Sequence, residues 1–229
     1  MNPDIINIKR PWTSRTSFIL AISSLLIGII VFVLSYLGAT NNFDLGLINK
    51  PILDFMISSR STDLTDTISL VTIFGSWLTI GTITIAIAII WVSYKHEFWR
   101  PLLLTTSMAA AAGSTFLLKA LLAISRPAIS SMVLPIETDF SFPSSHTISI
   151  IVITLVIGYL VCSRRSSKTR IIIWSSIAFL MTILIAFSRL YLGYHWLTDV
   201  TGSIGLGFII LSLTIFIDKL VTKYFTKLQ

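Results

Sequence analysis

Six long stretches that contain no charged residue and no histidine constrain this chain more than any other feature. A helix that crosses a bilayer needs about 20 mainly apolar residues, with a range of roughly 17–25, and all six stretches meet that requirement. Only 12% of the 229 residues are charged and 54% are hydrophobic, as is typical of membrane proteins. We therefore expect an all-α, polytopic protein with one six-helix transmembrane domain over residues 1–229. The six stretches are Thr16–Phe43, Thr67–Tyr94, Pro101–Leu118, Thr147–Ser163, Ile171–Ser188 and Val200–Ile217.

The first stretch has to be distinguished from a signal peptide. Its apolar part, Ser17–Leu37, is longer than the apolar region of a signal peptide, which has about 7–15 residues. We interpret it as a retained transmembrane helix.

The basic residues are distributed unevenly between the two sides that six spans define. If the N-terminus is inside, the outer segments hold Lys50, Arg60, Lys119, Arg126 and Arg189, and the other 12 of the 17 Lys and Arg lie inside. The positive-inside rule then places both termini in the cytoplasm of a multi-pass cell membrane protein. The net charge of +7 is explained by loops facing anionic lipid, so nucleic acid is not expected as a partner. The inner set is Lys9, Arg10, Arg15, Lys95, Arg100, Arg164, Arg165, Lys168, Arg170, Lys219, Lys223 and Lys227.

The polar segment 41–66 carries apolar residues at helical spacing, which predicts a short amphipathic helix in the membrane interface. Pro51 indicates a break or the first turn of that helix. The helix would either guide a lipid towards a site or be an ordinary surface element. Its apolar residues are Leu45, Ile48, Ile52 and Phe55.

Two cations, Lys119 and Arg126, lie near the outer end of the third span, seven residues apart. Two helical turns separate them, so they share a helix face. Pro127 predicts that the helix ends near Arg126. The pair can bind one anion, with Arg offering a fork of donors and Lys a point charge. Alternatively, both side chains extend to lipid headgroups.

A second group, Pro143-Ser144-Ser145-His146, immediately precedes the fourth span. Serine at a helix start can cap the helix, and the free N–H groups there favour an anion. Phe140 and Phe142 are expected to seat this turn in the interface. The alternative is a capped helix with an interfacial histidine.

The third group contains Arg189, His195 and Asp199, at the junction of the fifth and sixth spans. A carboxylate four residues after a histidine can hold one imidazole nitrogen and leave the other free to attack. The neighbouring aromatic residues are interpreted as interfacial anchors rather than catalysts. They are Tyr191, Tyr194 and Trp196.

Together these groups resemble the signature of the type 2 phosphatidic acid phosphatase family, which shares its core with the vanadium haloperoxidases. The family pattern is K-x6-RP, then PSGH, then SR-x5-H-x3-D. This chain has Lys119-x6-Arg126-Pro127, Pro143-Ser144-Ser145-His146 and Ser188-Arg189-x5-His195-x3-Asp199. The resemblance covers about residues 66–220. Ser145 replaces the usual glycine, which puts the substrate range in question more than the activity.

The resemblance implies a role for each matching residue. His195 attacks phosphorus and forms a phosphohistidine, Asp199 orients His195, and His146 protonates the leaving oxygen and then activates water. The phosphoryl oxygens are bound by Lys119, Arg126, Arg189, Ser144 and Ser145. The family uses no metal and no cofactor, and one carboxylate with two separated histidines is a poor metal shell.

These roles predict an integral membrane lipid phosphatase whose site faces the outer leaflet. The substrate is a lipid phosphate or diphosphate, of the undecaprenyl diphosphate or phosphatidylglycerophosphate type. Two alternatives are a lipid phosphotransferase that uses the same phosphohistidine and a non-enzymatic transporter or scaffold. Transporters usually show paired halves with helices broken at mid-membrane, whereas these charges cluster at one edge. The sequence leaves the oligomeric state open.

Overall fold

The computed structural model describes residues 14–41, 44–164 and 167–227, which form eight α-helices and two short 3-10 turns. The predicted inner residues Lys9, Arg10 and Arg165, and Phe43 at the end of the first stretch, lie outside these ranges. The helices are α1 (Ser14–Asn41), α2 (Asn49–Ser58), α3 (Thr62–Ile73), α4 (Trp77–Lys95), α5 (Trp99–Leu122), α6 (Ser145–Arg164), α7 (Lys168–Tyr191) and α8 (Leu197–Lys227).

Six of these helices, namely α1 and α4 to α8, are long and apolar enough to cross a membrane. The predicted all-α fold with six spans is therefore confirmed. Large apolar side chains point away from the bundle on these helices, for example Leu78, Phe116 and Phe179. An apolar outer surface of this kind is what lipid contact requires, because lipid tails do not penalise exposed hydrocarbon.

The predicted second span is wrong as one continuous helix, because the chain breaks between α3 and α4. A side-chain carbon at Gly75 would lie 2.7 Å from Ile185 and 3.1 Å from the His146 Cβ, so only glycine fits this approach. Ser76 then caps α4 by accepting a hydrogen bond from the Thr79 N–H at 3.2 Å. The break brings α3 against α7, near the end that carries Arg189.

The predicted amphipathic helix corresponds to α2, and Pro51 lies in its first turn as expected. Of the predicted apolar residues of this helix, Phe55 is largely exposed. Leu53 is the buried residue of α2, and Ile52 and Met56 pack against the apolar cluster around Leu190. The helix therefore docks on the protein through Ile52, Leu53 and Met56 and leaves Phe55 exposed.

The core is centred on α6, which contacts α4, α5, α7 and α8. Ile148, Val152 and Val156 are fully buried, and their spacing of four residues places them on one face of the helix. Because α6 begins at Ser145, this packing fixes the position of the Pro143–His146 turn.

Glycines on α8 allow neighbouring helices and loops to approach it closely. A side-chain carbon at Gly205 would lie 2.5 Å from the Phe32 nitrogen and 2.8 Å from the Gly28 carbonyl oxygen on α1. A carbon at Gly202 would lie 2.5 Å from the Phe142 ring, and one at Gly207 would lie 2.6 Å from Ile151. Close backbone approach of this kind drives helix association where water is absent.

A buried polar network lies between the start of α5 and the end of α8. Arg100, which the sequence placed in an inner loop, is 3% exposed and its Nε lies 3.1 Å from a Glu97 carboxylate oxygen. Asp218 accepts hydrogen bonds from Trp99 Nε1, at 2.8 Å, and from the Tyr159 hydroxyl. These groups hold helices together and take no part in the site described below.

Candidate active site

Four helix ends meet at one end of the bundle and bring the predicted polar residues together. Lys119 lies in the last turn of α5 and Arg189 in the last turn of α7. His146 lies in the first turn of α6 and Asp199 in the first turn of α8. His195 occupies the turn between α7 and α8. The packing of apolar helices thus places residues distant in sequence at one level.

His195 and Asp199 form the hydrogen-bonded pair that their spacing predicted. The His195 Nδ1 lies 3.2 Å from Asp199 Oδ2, and both side chains are almost fully buried. The same oxygen accepts hydrogen bonds from the Trp196 N–H, at 2.7 Å, and from the Ser141 hydroxyl. Ser141 Oγ also lies 3.3 Å from His195 Nδ1. Ser141 was not predicted, although it stands two residues before the Pro143 motif.

The network fixes the tautomer of His195. Arg126 Nη1 lies 3.2 Å from His195 Nε2, and a guanidinium can only donate hydrogen bonds. Nε2 is therefore the acceptor, and the proton of neutral His195 lies on Nδ1, towards Asp199. The unprotonated nitrogen, Nε2, faces the cations, as a nucleophile for an anionic substrate requires.

The environment keeps His195 neutral. Burial, followed by the positive charges of Arg126, Arg189 and Lys119, holds the pKa of His195 well below its usual range. A neutral imidazole is the form that can attack phosphorus.

Lys119 and Arg126 converge, but not along one helix face as predicted. The α5 helix ends at Leu122, and Ala123 has φ of 47°, a left-handed conformation that turns the chain. Arg126 therefore lies in the following loop. The two cations meet at Asp139, with Lys119 Nζ 2.6 Å from Oδ2 and Arg126 Nη2 2.5 Å from Oδ1.

Arg189 is held from several sides at the end of α7. Its Nη1 donates to Thr72 Oγ1 at 3.1 Å, and its Nη2 contacts the Glu137 carboxylate. The guanidinium carbon lies 4.4 Å from the centre of the Tyr194 ring, a cation–π distance. Arg189 Nε is buried and has no hydrogen-bond partner among the described residues.

Two acidic residues of the loop between α5 and α6 were missed by the sequence analysis. Glu137 bridges Arg126, at 2.8 Å, and Arg189, while Asp139 bridges Lys119 and Arg126. Burial raises the pKa of Asp139, but the hydrogen bond and charge of Lys119 and the charge of Arg126 outweigh it and hold the pKa below its usual range. In the sequence, the two acids could have been found because they lie in the same loop as Arg126.

The turn before α6 offers fewer donors than predicted. Ser144 is fully buried, its N–H donates to the Asp199 carbonyl at 3.3 Å, and its hydroxyl accepts from Thr147 at 3.2 Å. The first turn of a helix leaves N–H groups without helical partners. Ser145 and His146, which are half-buried, are therefore the positions here whose backbone can donate to an anion.

Comparison with known families decides the identity of the fold. The sequence model described as "PAP2 superfamily" matches residues 100–221, a segment that includes all eight predicted site residues. The chain belongs to the PAP2 superfamily. This confirms the resemblance read from the three motifs.

Two characterised relatives are similar to parts of this PAP2 chain. Phosphatidylglycerophosphatase B of Bacillus subtilis (strain 168) is 32% identical over 90 residues, which are 38% of this chain and 44% of the relative. Lipid phosphate phosphatase delta of Arabidopsis thaliana is 28% identical over 93 residues, 40% of this chain and 22% of the relative. The matched segments thus span less than half of each relative's length.

Two solved structures share the fold more extensively. A transmembrane PAP2-type phosphatidylglycerolphosphate phosphatase from Bacillus subtilis superposes with a TM-score of 0.75 at 23% identity, covering 84% of this chain and 96% of that one. Aquifex aeolicus LpxE superposes with a TM-score of 0.54 at 21% identity, covering 74% of this chain and 94% of that one. The PAP2 fold of this chain is therefore that of solved transmembrane proteins.

Three of the aromatic residues around the PAP2 motifs, Tyr191, Tyr194 and Phe142, are buried in the protein, which corrects their interpretation as interfacial residues. Tyr191 is 1% exposed, and its hydroxyl lies 3.2 Å from the Ser61 N–H. Tyr194 is 4% exposed beneath Arg189, and Phe142 is fully buried. The preference of aromatic residues for membrane interfaces predicted the membrane surface, because residue type cannot show that a loop folds back onto the bundle.

Proposed function

We propose that this PAP2 protein is an integral membrane lipid phosphatase that acts through a phosphohistidine at His195. The observation that carries the proposal is the orientation of the imidazole. Nδ1 is held by Asp199 at 3.2 Å, and Nε2 faces the cations beside Arg126. A neutral nucleophile adjoining a cluster of cations matches the needs of phosphoryl transfer.

The roles of the other residues follow from their positions. Lys119, Arg126 and Arg189 bind the phosphoryl oxygens, with Ser145 and the Ser144 hydroxyl as further donors. Attack of His195 Nε2 forms the N–P bond and breaks the bond to the leaving oxygen. His146 donates the proton to that oxygen and then removes a proton from the water that releases phosphate. Asp199 stabilises the positive charge that His195 gains in the first step.

We infer that the substrate is a lipid phosphate, with phosphatidylglycerophosphate as the first candidate. The similarity to phosphatidylglycerophosphatase B supports this choice, and an undecaprenyl diphosphate is the second candidate. The distribution of Lys and Arg supports a site at the outer leaflet of the cell membrane. The lipid tail would then lie against the apolar helices while the phosphate meets the cations.

The test is phosphate release by the purified full chain in detergent with a chelator present. The panel contains phosphatidylglycerophosphate, undecaprenyl diphosphate, phosphatidic acid and a soluble phosphate ester, with His195→Ala as the blank. We expect release from at least one lipid and acid-labile labelling of the protein by substrate labelled with ³²P in its phosphate. Full activity of His195→Ala would refute the proposed nucleophile, and no release from any lipid would refute the phosphatase.

A further inference from the structure

The three cations of the site are already paired with carboxylates of the loop between α5 and α6. Asp139 holds Lys119, at 2.6 Å, and Arg126, at 2.5 Å, with different oxygens. Glu137 holds Arg126, at 2.8 Å, and Arg189, again with different oxygens. Four carboxylate oxygens thus contact three cations, which is the arrangement expected for the oxygens of a bound phosphoryl group.

The acids approach this cluster from its open side. The side chain of Arg189 is 1% exposed and that of Arg126 is 6% exposed, whereas Glu137 is 25% and Asp139 is 59% exposed. The cations therefore belong to the protein wall, and the acids lie between them and the surroundings. A ligand that reaches the cations has to displace these acids first.

The loop is also fixed by its backbone beside the carboxylates. Arg126 Nε donates to the Asp139 carbonyl at 2.7 Å, and Lys119 Nζ donates to the Phe140 carbonyl. Asp139 remains ionised because the cations hold its pKa below the usual range. Both carboxylates form ion pairs with the cations, so the loop presents two formal negative charges at a defined place.

We propose that Glu137 and Asp139 are specificity-determining residues that imitate a phosphoryl group and exclude ligands with a single negative charge. The inference rests on the proposed function, since it takes these cations to be the phosphate site. A terminal phosphate carries about −1.5 to −2 charges near neutral pH, which matches the charge of the two carboxylates. A phosphodiester headgroup carries one negative charge, one fewer than the two carboxylates that it would replace.

Exclusion of ligands with one negative charge matters at a membrane surface. The phosphodiesters of ordinary phospholipids surround the site at high local concentration, and three uncovered cations would bind them. The carboxylates of the loop between α5 and α6 are held beside the cations, so they compete with any ligand as tethered groups do. Because every anion must displace the same acids, all anions are weakened by the same factor. A monoanion, which the three cations bind more weakly than a dianion, then no longer occupies the site at its concentration in the membrane, whereas a terminal phosphate still does.

The first test measures binding of inorganic phosphate by calorimetry to the full chain in detergent, without turnover. The variants are Glu137→Gln, Asp139→Asn and the double variant. The matched control is Asp63→Asn with Asp66→Asn, which removes the same charge from exposed positions on α3. We expect phosphate to bind about tenfold more tightly to the double variant, because the two carboxylates no longer compete with it for the cations. We expect little change in the control.

The second test adds phosphatidylglycerol, a phosphodiester, to the phosphatase assay in mixed micelles. We expect it to inhibit the double variant at concentrations that leave the wild type and the control active. If the double variant is unstable, the two single variants give the same comparison.

Unchanged or weaker phosphate binding in the variants would overturn the proposal, and so would equal tightening in the control. Tighter phosphate binding without inhibition by phosphatidylglycerol would overturn the selectivity. Phosphate binding requires no catalysis, so a wild type that binds phosphate but releases none refutes the phosphatase and leaves this inference standing.

Discussion

Replacing Ser141 by alanine tests whether the Asp199 carboxylate is held in place for catalysis. Asp199 Oδ2 accepts hydrogen bonds from the Ser141 hydroxyl, from the Trp196 N–H at 2.7 Å and from His195 Nδ1 at 3.2 Å. Asp199 Oδ1 has no hydrogen-bond partner among the described residues. Ser141→Ala therefore removes one of three hydrogen bonds to a buried carboxylate.

The magnitude follows from the charge of the acceptor. A hydrogen bond to a charged group contributes about 1.5–3 kcal/mol, and each 1.36 kcal/mol is about tenfold in rate. We expect kcat to fall by about 10- to 150-fold, because a misplaced Asp199 no longer stabilises the charge on His195. KM should change little, since Ser141 contacts none of the three cations that the substrate binds. Steady-state phosphate release from the preferred lipid measures both values.

Two controls separate positioning from stability. Ser212 is also fully buried, and its hydroxyl donates to the Ala21 carbonyl at 2.7 Å, so Ser212→Ala should lower the thermal midpoint but leave kcat unchanged. In a double-mutant cycle with Asp199→Asn, Ser141→Ala should cost little further activity. A full loss of kcat in the Asp199→Asn background would refute the reasoning, as would unchanged kcat in the single variant.

Three further predictions concern packing, backbone strain and titration. Gly205→Ala should lower the thermal midpoint in detergent, because a Cβ 2.5 Å from the Phe32 nitrogen forces α1 and α8 apart at a cost of about 1–3 kcal/mol. Gly81→Ala, where a Cβ meets no atom of the described chain within 4 Å, should be neutral or stabilising, and an equal loss in both variants would contradict this. Ala123→Gly should raise the midpoint, because φ is 47° and the left-handed conformation costs a residue with a Cβ about 1–2 kcal/mol; a lower midpoint would contradict this. In ¹⁵N-histidine spectra assigned with His195→Asn, the His195 signal should show no protonation as pH falls through about 6.5, the ordinary histidine value, because its pKa is lowered; a midpoint near that value would contradict the lowered pKa of His195.

The spans and the contact between His195 and Asp199 were predictable because each depends on local sequence. A helix needs only a long apolar run, and the His195–Asp199 contact needs only four residues of chain. The break at Gly75 was not predictable in this way, because it depends on the approach of Ile185 and His146 from other helices. Interior glycines in apolar runs are common in membrane helices, so Gly75 alone gave no reason to end a helix.

The acids were missed because the sequence analysis counted cations alone on the outer side. Glu137 lies 52 residues from Arg189, and no periodicity links a loop residue to a helix end at that distance. The need to balance the charge of the three cations would have predicted acidic partners. Buried or half-buried cations need partners, and Asp199, already committed to His195, cannot neutralise three of them.

The formal charges of the site balance before a ligand binds. Lys119, Arg126 and Arg189 contribute three positive charges, and Glu137, Asp139 and Asp199 contribute three negative ones, so the cluster is neutral beside a low-dielectric bilayer. A phosphate dianion that replaces the two loop acids preserves this neutrality, because it brings two charges as two leave. The exchange therefore costs little electrostatic energy for a terminal phosphate and more for any ligand of lower charge, which is the physical basis for reading the loop as a selector of substrate.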